Sequence, residues 1–387
     1  MRIEDTVEEA AYRNRVREWI ATEGRDQWPT AAGRESAEER HWVQALQGAG
    51  LVGVTWPETY GGQGLSPGHE AIVAAELAEA GMPIPTSMGV GLNMVGPALL
   101  VHGSPEQQRQ LLPAILSGAA VWCEGFSEPD AGSDLAAIRT RATSQPDGSY
   151  RVSGAKVWCS FAHASDWCLL LARTGAREHG SRAITCFLVP MTSPGVSVRP
   201  LRQITGESEF NEVFFDEVEL PSSAVLDGPG RGWAVAMTTL FYERSRYHDQ
   251  LAGFAVNLSG LARRVAADPK LRDDARVLER LAGAWTDLQI VRATMLRLGQ
   301  ERDPGGTTTA AGLALKLLWT GAIEGLTSLA LDVLGPMAAV ESSDETVDGH
   351  SWQRELFLAQ MWAVAGGSTE IARSVLAEQS LGLPRSR

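Results

Sequence analysis

The sequence contains little cysteine, and its cysteines do not follow a metal-binding pattern. Only 4 cysteines occur among the 387 residues, at Cys123, Cys159, Cys168 and Cys186, and they form no Cys-x-x-Cys pair. The spacing of zinc sites is therefore missing, and no metal centre is predicted. We interpret the four residues as small, buried apolar side chains in the strands of a reduced protein.

Positive charge is also scarce. The chain has 34 Lys and Arg residues against 47 Asp and Glu residues, which gives a net charge of -13. Nucleic acids and anionic membranes are bound through basic surfaces, so this charge argues against both as partners. No apolar run reaches the roughly 18 residues that span a bilayer. Residues 1–20 are charged throughout and lack the apolar core of a signal peptide, so we expect a cytoplasmic protein.

The residues that are present predict three parts in the order helical, β, helical. The first 120 residues contain helix-period segments at 10–22, 38–49, 69–80 and 105–116, with loops predicted at 56–64 and 81–89. Residues 121–228 contain short alternating runs such as NEVFFDEVEL, which predict an antiparallel barrel or sandwich. Residues 229–387 predict a helical bundle, with segments at 233–267, 272–301, 307–334 and 351–379 and a charged linker at 339–350. No Gly-x-Gly-x-x-Gly follows a predicted strand, which disfavours a Rossmann domain.

Three segments carry a family resemblance: GFSEPDAGSD at 125–134, GAKVWCSFAHASDW at 154–167 and AGGSTEIAR at 365–373. Together with ETYGGQGLS upstream and LGLPR near the end, they resemble the acyl-CoA dehydrogenase family over nearly the full length and in family order. The resemblance implies an α+β fold with an N-terminal helical domain, a central antiparallel β-barrel domain and a C-terminal four-helix bundle. It also implies FAD as the cofactor.

The resemblance assigns flavin contacts to the first two segments. Phe126 and Ser127 would border the pyrimidine end of the isoalloxazine, and Gly132 and Ser133 would approach the pyrophosphate and the thioester substrate. Trp158 would lie against the ring, with Ser160 near the N5 edge. Each residue alone has an ordinary interpretation, as a turn, strand or surface residue, but their occurrence together in register favours the flavin.

The segments that hold the adenosine end of FAD in the family match less well. No Arg-x-x-Phe segment is found, Asp332 stands where the family has Gln, and Gly335-Pro336 replaces two glycines. Asp332 would repel a pyrophosphate unless it is displaced or paired. By resemblance, Gly335, Ser368 and Glu370 are still assigned to the cofactor. These departures resemble a branch of the family in actinobacterial lipid and steroid degradation, whose members can form mixed tetramers.

The usual catalytic base of the family is missing. A Glu commonly precedes the Gly-Thr-Ser-Glu stretch, but Gly366 occupies that position here. The family has a second placement in a Leu-x-x-Glu-Arg context, and TTLFYERSRYHD places Glu243 there. The alternative interpretation of Glu243 is a helix-surface acid paired with Arg246 or Arg263. Glu370 is expected to remain at a helix start, and substrate contacts are assigned to Arg244, Gly366 and Gly367.

The resemblance predicts an FAD-dependent dehydrogenase that desaturates an acyl thioester between its α and β carbons. Glu243 would take the α proton while hydride passes to flavin N5, and the Gly366 N–H would stabilise the developing enolate. Acyl-CoA or a carrier-protein thioester would be the substrate, and an electron-transfer flavoprotein would accept the electrons. We expect a homotetramer or a mixed oligomer. Two alternatives remain at this point: a non-catalytic partner subunit of a mixed tetramer, and a flavin oxidase or monooxygenase on the same scaffold.

Overall fold

The computed structural model describes residues 5–29, 37–245, 247–300, 310–339 and 352–384, without the side chains of residues 244, 245, 299 and 300. Its first part is helical. Two helices of this part begin at capping boxes, Thr6 with Glu9 and Ser104 with Gln107, in which side chain and backbone satisfy each other's hydrogen bonds. The helices are α1 Val7–Trp19, α2 Arg25–Gln27, α3 Ala37–Gly48, α4 Pro67–Glu79, α5 Thr86–Val90, α6 Gly96–His102 and α7 Pro105–Leu116.

The prediction of a loop at 81–89 is partly wrong, because α5 begins at Thr86 and continues through a π-helical turn at Gly91–Val95 into α6. Gly81 and Gly89 bound the stretch predicted as a loop and are not closely packed, whereas Gly91 and Gly96, which follow it, lie in helical turns against neighbouring side chains. A Cβ on Gly91 would lie 3.3 Å from Ile115, and a Cβ on Gly96 would overlap the ring of Trp56. Tertiary packing therefore overrides the low helix propensity of glycine here.

The central part is an eight-stranded sheet in the order β6-β7-β3-β2-β4-β5-β8, with β1 paired to β4. The sequence predicts an antiparallel barrel or sandwich, but the sheet is not antiparallel throughout. Strands β1 and β2 each run parallel to β4. Parallel neighbours need a long connection, and the β2–β3 hairpin lies within the stretch that links β1 to β4. The strands are β1 Trp122–Gly125, β2 Arg141–Ser144, β3 Tyr150–Lys156, β4 Trp167–Arg173, β5 Ile184–Pro190, β6 Val196–Pro200, β7 Asn211–Leu220 and β8 Val225–Leu226.

The two faces of the sheet belong to different cores. Leu169 and Leu171 of β4 pack into the core of the N-terminal helices, whereas Cys168 and Leu170 pack into the core of the sheet itself. Glu124 of β1 is in register with Leu169. Since paired residues on neighbouring strands share a face, Glu124 points towards the helical side.

The C-terminal part is helical again, and its core is built around α12. The helices are α8 Gly232–Ser245, α9 His248–Ala267, α10 Pro269–Arg272, α11 Ala275–Gln300, α12 Ala310–Leu334, α13 Trp352–Val364 and α14 Thr369–Val375. Two predicted segments are each divided: 233–267 between α8 and α9, and 351–379 between α13 and α14. The linker predicted at 339–350 lies almost entirely outside the described residues.

Helix α12 with the turn after it, Ala310–Ala339, is long and apolar enough to cross a bilayer by length and composition alone. The core helix of a globular bundle meets the same two criteria. Trp319, Leu326 and Leu329 on α12 are buried against the other bundle helices, so the apolar character of α12 is accounted for by the core.

Candidate active site

Glu243 and Gly366 lie side by side, although 123 positions separate them in sequence (366 − 243). A Cβ built on Gly366 would lie 3.2 Å from Cδ of Glu243 and 3.3 Å from each of its carboxylate oxygens. The carboxylate of Glu243 therefore occupies the space that the first atoms of a side chain at position 366 would take. Helix α8, which carries Glu243, packs against β4 and β5 of the sheet, against α12 of the C-terminal part and against α6 of the N-terminal part, so all three parts of the chain set its position.

The two glycines after α13 change the direction of the chain. Gly366 has a φ of 65° and Gly367 a φ of 90°, values that glycine adopts without a steric penalty. Ser368 then caps the start of α14, and its Oγ accepts a hydrogen bond from Ile371 N at 3.3 Å. Glu370 is exposed in the first turn of α14, where hydrogen bonds from its own backbone N–H and from Ser368 and Thr369 lower its pKa. The structure thus places Glu370 at the helix start and Glu243 beside Gly366.

Trp158 lines an open cleft of ≈ 390 Å³ between the β domain and α13. Its side chain is 60% exposed and its φ is 63°, a left-handed conformation that is uncommon for a residue other than glycine. Backbone hydrogen bonds hold the loop in this shape, because Cys159 N donates to Asn211 O at 3.0 Å and Phe161 N donates to Glu209 O at 2.7 Å. Phe357 and Met361 of α13 lie on the opposite wall. An exposed aromatic ring facing an apolar wall fits one face of a planar cofactor.

A buried ion pair joins the two segments assigned to the flavin. Nζ of Lys156 donates to Oε1 of Glu128 at 2.8 Å and to the carbonyl of Phe126 at 3.0 Å, and Val157 N donates to Ser127 O at 3.0 Å. Lys156 is completely buried, which lowers its pKa against the opposing effect of Glu128. Burial alone would raise the pKa of Glu128, but Lys156 and the backbone N–H of Arg139 hold it below its usual value.

The remaining assigned residues are distributed unevenly. Gly132 and Ser133 are exposed in the turn after Glu128, and Ser160 is half-buried in the loop with Trp158. The side chain of Arg244 lies outside the described residues. Gly335 follows the last residue of α12, 19 residues after Lys316 (335 − 316). Lys316 lies beside Gly366, because its Nζ donates to the carbonyl of Ala365. The 19 residues correspond to roughly 28 Å along the helix at about 1.5 Å per residue. Gly335 is thus remote from Gly366 within one chain.

Asp332 does not present an unpaired charge. Its carboxylate forms an ion pair with Nη1 of Arg280 on α11, and Nη2 of Arg280 donates to Ser328 Oγ at 3.2 Å. The condition under which this acid could be tolerated near a pyrophosphate, namely that it is paired, is met in the structure.

Sequence reasoning missed two buried side chains near Glu243. Oε1 of Glu124 is buried and has no hydrogen-bond partner within the part of the chain that the structure describes. Burial raises the pKa of Glu124 well above its ordinary value, and the nearby charge of Glu243 raises it further. Lys316 is completely buried on α12 and donates to the carbonyls of Trp362 and Ala365, at 2.7 Å for Ala365. In the sequence, each of the two is a charged residue within an otherwise apolar stretch, Glu124 in β1 and Lys316 in α12, and this feature could have identified them.

Comparison with known proteins identifies the family. Residues 6–119, 123–218 and 230–381 match, in turn, the acyl-CoA dehydrogenase N-terminal, middle and C-terminal domains. The chain therefore belongs to the acyl-CoA dehydrogenase family of FAD-dependent oxidoreductases. The expected family, fold class and cofactor are confirmed, with the correction to the sheet given above.

Individual relatives extend over the whole chain. Acyl-CoA dehydrogenase IpdE1 of Mycobacterium tuberculosis (strain ATCC 25618 / H37Rv) is 40% identical over 387 residues, which cover 97% of this chain and 97% of that protein. Among solved structures, the Tcur3481-Tcur3483 steroid ACAD has a TM-score of 0.84 at 26% identity and covers 100% of both chains. The ChsE4-ChsE5 complex from Mycobacterium tuberculosis has a TM-score of 0.84 at 27% identity, again over 100% of both chains.

Proposed function

We propose that this protein desaturates an acyl thioester between its α and β carbons, with Glu243 as the base that removes the α proton. The observation that supports this assignment is the approach of the Glu243 carboxylate to within 3.3 Å of a Cβ position on Gly366. Family members that carry Glu at that position use it as the base. A carboxylate delivered from α8 to the same place can act on the same carbon.

The residues around Glu243 suit an α-proton abstraction. The α proton of a thioester is weakly acidic, so the enolate charge that develops on the carbonyl oxygen requires hydrogen-bond donors. The backbone N–H of Gly366 provides one donor, which glycine retains without a side chain. When bound, FAD supplies the hydride acceptor, and the residues that would hold it are Phe126, Ser127 and Trp158. Ser133 lies in the turn after Glu128, in the same segment as Phe126 and Ser127, and is assigned to the thioester.

The substrate is an acyl thioester, and the partner is a protein that accepts electrons from the flavin. Acyl-CoA is the thioester expected from the family, and a carrier-protein thioester presents the same reacting carbons. An electron-transfer flavoprotein is proposed as the electron acceptor, since dehydrogenation requires a partner that reoxidises the flavin. A flavin oxidase on this scaffold would instead consume oxygen rapidly without an added electron acceptor.

Anaerobic flavin reduction tests the role of Glu243. Glu243→Gln keeps the size of the side chain but cannot accept the proton, so FAD should stay bound while reduction by acyl-CoA slows by roughly 100-fold or more. Glu106→Gln is the matched control, because Glu106 is an exposed acid in the first turn of α7 with no role assigned to it, and it should leave the rate within about twofold of wild type. If Glu243→Gln is reduced as fast as the parent protein, the assignment is wrong.

A transfer of the carboxylate tests the geometry. A side chain at position 366 needs the space that residue 243 fills, so Gly366→Glu should be combined with Glu243→Ala rather than with Glu243→Gln. Recovery of flavin reduction above that of Glu243→Ala alone would support a shared target carbon for the two positions.

A further inference from the structure

A lysine that no family motif identified contacts the peptide unit next to the base. Lys316 lies on α12, is completely buried, and donates from Nζ to the carbonyls of Trp362 and Ala365. Trp362 lies in the last turn of α13, and Ala365 follows the helix and immediately precedes Gly366. An ammonium group has three donors and no acceptor, so a site formed by helix C-terminal carbonyls matches it.

Peptide planarity connects Lys316 to the proposed site. The carbonyl of Ala365 and the N–H of Gly366 belong to one peptide unit, and in a trans peptide they point in opposite directions. The direction of the Gly366 N–H is therefore fixed once Lys316 holds the Ala365 oxygen at 2.7 Å. No cis peptide bond is present in the described chain, so this geometry applies to that unit.

Lys316 also affects the strength of that donor. A positive charge on a carbonyl oxygen draws electrons from the peptide and makes its N–H a stronger hydrogen-bond donor, an effect that a low-dielectric environment enhances. Lys316 is completely buried, and Trp319, one turn further along α12, packs against Tyr247 and Trp362 in the core of the bundle. Water is thereby kept from screening the charge.

We infer that Lys316 is a positioning residue for thioester activation: it orients and polarises the Ala365–Gly366 peptide so that the Gly366 N–H stabilises the enolate oxygen. The inference rests on the proposed function and extends it to a side chain that does not touch the substrate. Thr320 provides a matched control, since its Oγ1 donates to Trp362 O at 3.3 Å from the same helix but carries no charge and, among the described residues, forms no hydrogen bond with Ala365.

The test measures carbonyl polarisation directly, besides activity. Crotonyl-CoA labelled with carbon-13 at the thioester carbonyl is bound to the FAD-loaded protein, and its carbonyl stretching frequency is recorded by difference infrared spectroscopy. Wild type should lower the frequency relative to free crotonyl-CoA, and Lys316→Met should lose at least half of that shift. Flavin reduction by acyl-CoA should slow by about 100-fold, the scale of a lost oxyanion donor. Thr320→Val should keep both the shift and, within about threefold, the rate.

Three results separate this inference from the proposed function. Lys316→Met with FAD bound and an unchanged carbonyl shift would overturn the role of Lys316. Wild type that binds crotonyl-CoA without a shift, or whose flavin no acyl-CoA reduces, would count against the proposed function. Glu243→Gln should keep the shift while losing reduction, which shows that polarisation and proton transfer are separate.

A second variant covers the case in which Lys316→Met does not fold. Lys316→Gln keeps a donor for the carbonyls but removes the charge, and it should retain part of the shift. A complete shift in folded Lys316→Gln would show that the charge is not needed and would overturn the polarising role.

Discussion

Glu124 is a single side chain whose environment opposes its charge. Its Oε1 is buried without a hydrogen-bond partner among the described residues, and it shares a face with Leu169, which packs into an apolar core. Burial is the largest cause of its raised pKa, and the charge of Glu243 is the second. A buried acceptor left unsatisfied costs about 1–3 kcal/mol of stability. A neutral side chain of similar size costs less to bury than a carboxylate, so replacing Glu124 by Gln should recover part of this stability.

The raised pKa of Glu124 gives a pH-dependent stability. An acid whose pKa is higher in the folded than in the unfolded state destabilises the fold as pH rises from the unfolded value, about 4.3 for Glu, towards the folded value. Glu124→Gln removes that titration, so the melting temperature of the variant should exceed that of wild type by a margin that grows with pH. Thermal unfolding at several pH values from about 5 to 9 measures the margin.

Glu370 provides a control in which the pKa is shifted in the opposite direction. Its pKa is lowered at the start of α14, so Glu370→Gln should remove a stabilising contribution that is present at neutral pH and lost in acid. A margin for Glu124→Gln that is constant with pH would contradict the prediction for Glu124.

For single residues, the sequence predicted a role where the residue type by itself indicates one. The capping pattern at Ser368, the missing carboxylate at Gly366 and the carboxylate at Glu243 could all be noted from the chain alone. Glu124 and Lys316 could not, because their significance depends on which face of β1 or α12 they occupy and on distant partners such as Ala365. A four-residue strand is too short for alternation to identify its buried face.

At the scale of elements, the buried pair of Lys156 and Glu128 holds the two flavin segments together. Removing one partner leaves an uncompensated buried charge, so Lys156→Met should destabilise the protein by about 3–5 kcal/mol and weaken FAD binding. Lys156→Met/Glu128→Gln should be less destabilised than Lys156→Met, because it removes the uncompensated charge and the one carbonyl oxygen of Gln can still accept from the backbone N–H of Arg139 or of Thr140. Urea unfolding and FAD titration measure these two effects.

The same strand offers a solvent-exposed comparison. Arg151 and Glu219 form an ion pair at 3.0 Å, with 43% and 75% of their side chains exposed. Arg151→Met should cost about 0–1 kcal/mol, the range for exposed pairs. Equal costs for Lys156→Met and Arg151→Met would show that the buried pair has no special role in the β domain.

Elements with strong periodicity and caps were predictable, whereas those defined by packing were not. The helix expected at 105–116 begins and ends as expected at Pro105–Leu116, where Ser104 and Pro105 give clear start signals. Helices α5 and α6 and strands β1, β2 and β8 were missed, since their glycines or short length carry little local signal. The parallel pairing of β1 with β4 depends on the path of the whole domain and leaves no mark in either strand.

At the scale of the whole molecule, α11 carries apolar side chains that the single chain leaves uncovered. Leu278 is 44% exposed and Trp285 is 59% exposed. The two are seven residues apart, which places them on one face of the helix. Two structural relatives are described by paired names, Tcur3481-Tcur3483 and ChsE4-ChsE5, the second as a complex. We therefore propose that α11 faces another subunit, in a tetramer of identical chains or of two kinds of chain.

Trp285→Arg tests this assembly. Trp is a frequent hot spot of interfaces, and its loss typically costs 2 kcal/mol or more, which corresponds to a roughly 30-fold weaker association. Light scattering should show a tetramer for wild type at micromolar concentration and smaller species for Trp285→Arg. Val7→Arg is the control, since Val7 is 90% exposed on α1 and should leave the mass unchanged. A wild-type monomer would contradict the homotetramer.

The mixed tetramer has its own test. It is the assembly if such a monomer is colourless, remains so with added FAD, and forms a yellow complex with a second acyl-CoA dehydrogenase chain. Trp285→Arg should then weaken that complex instead.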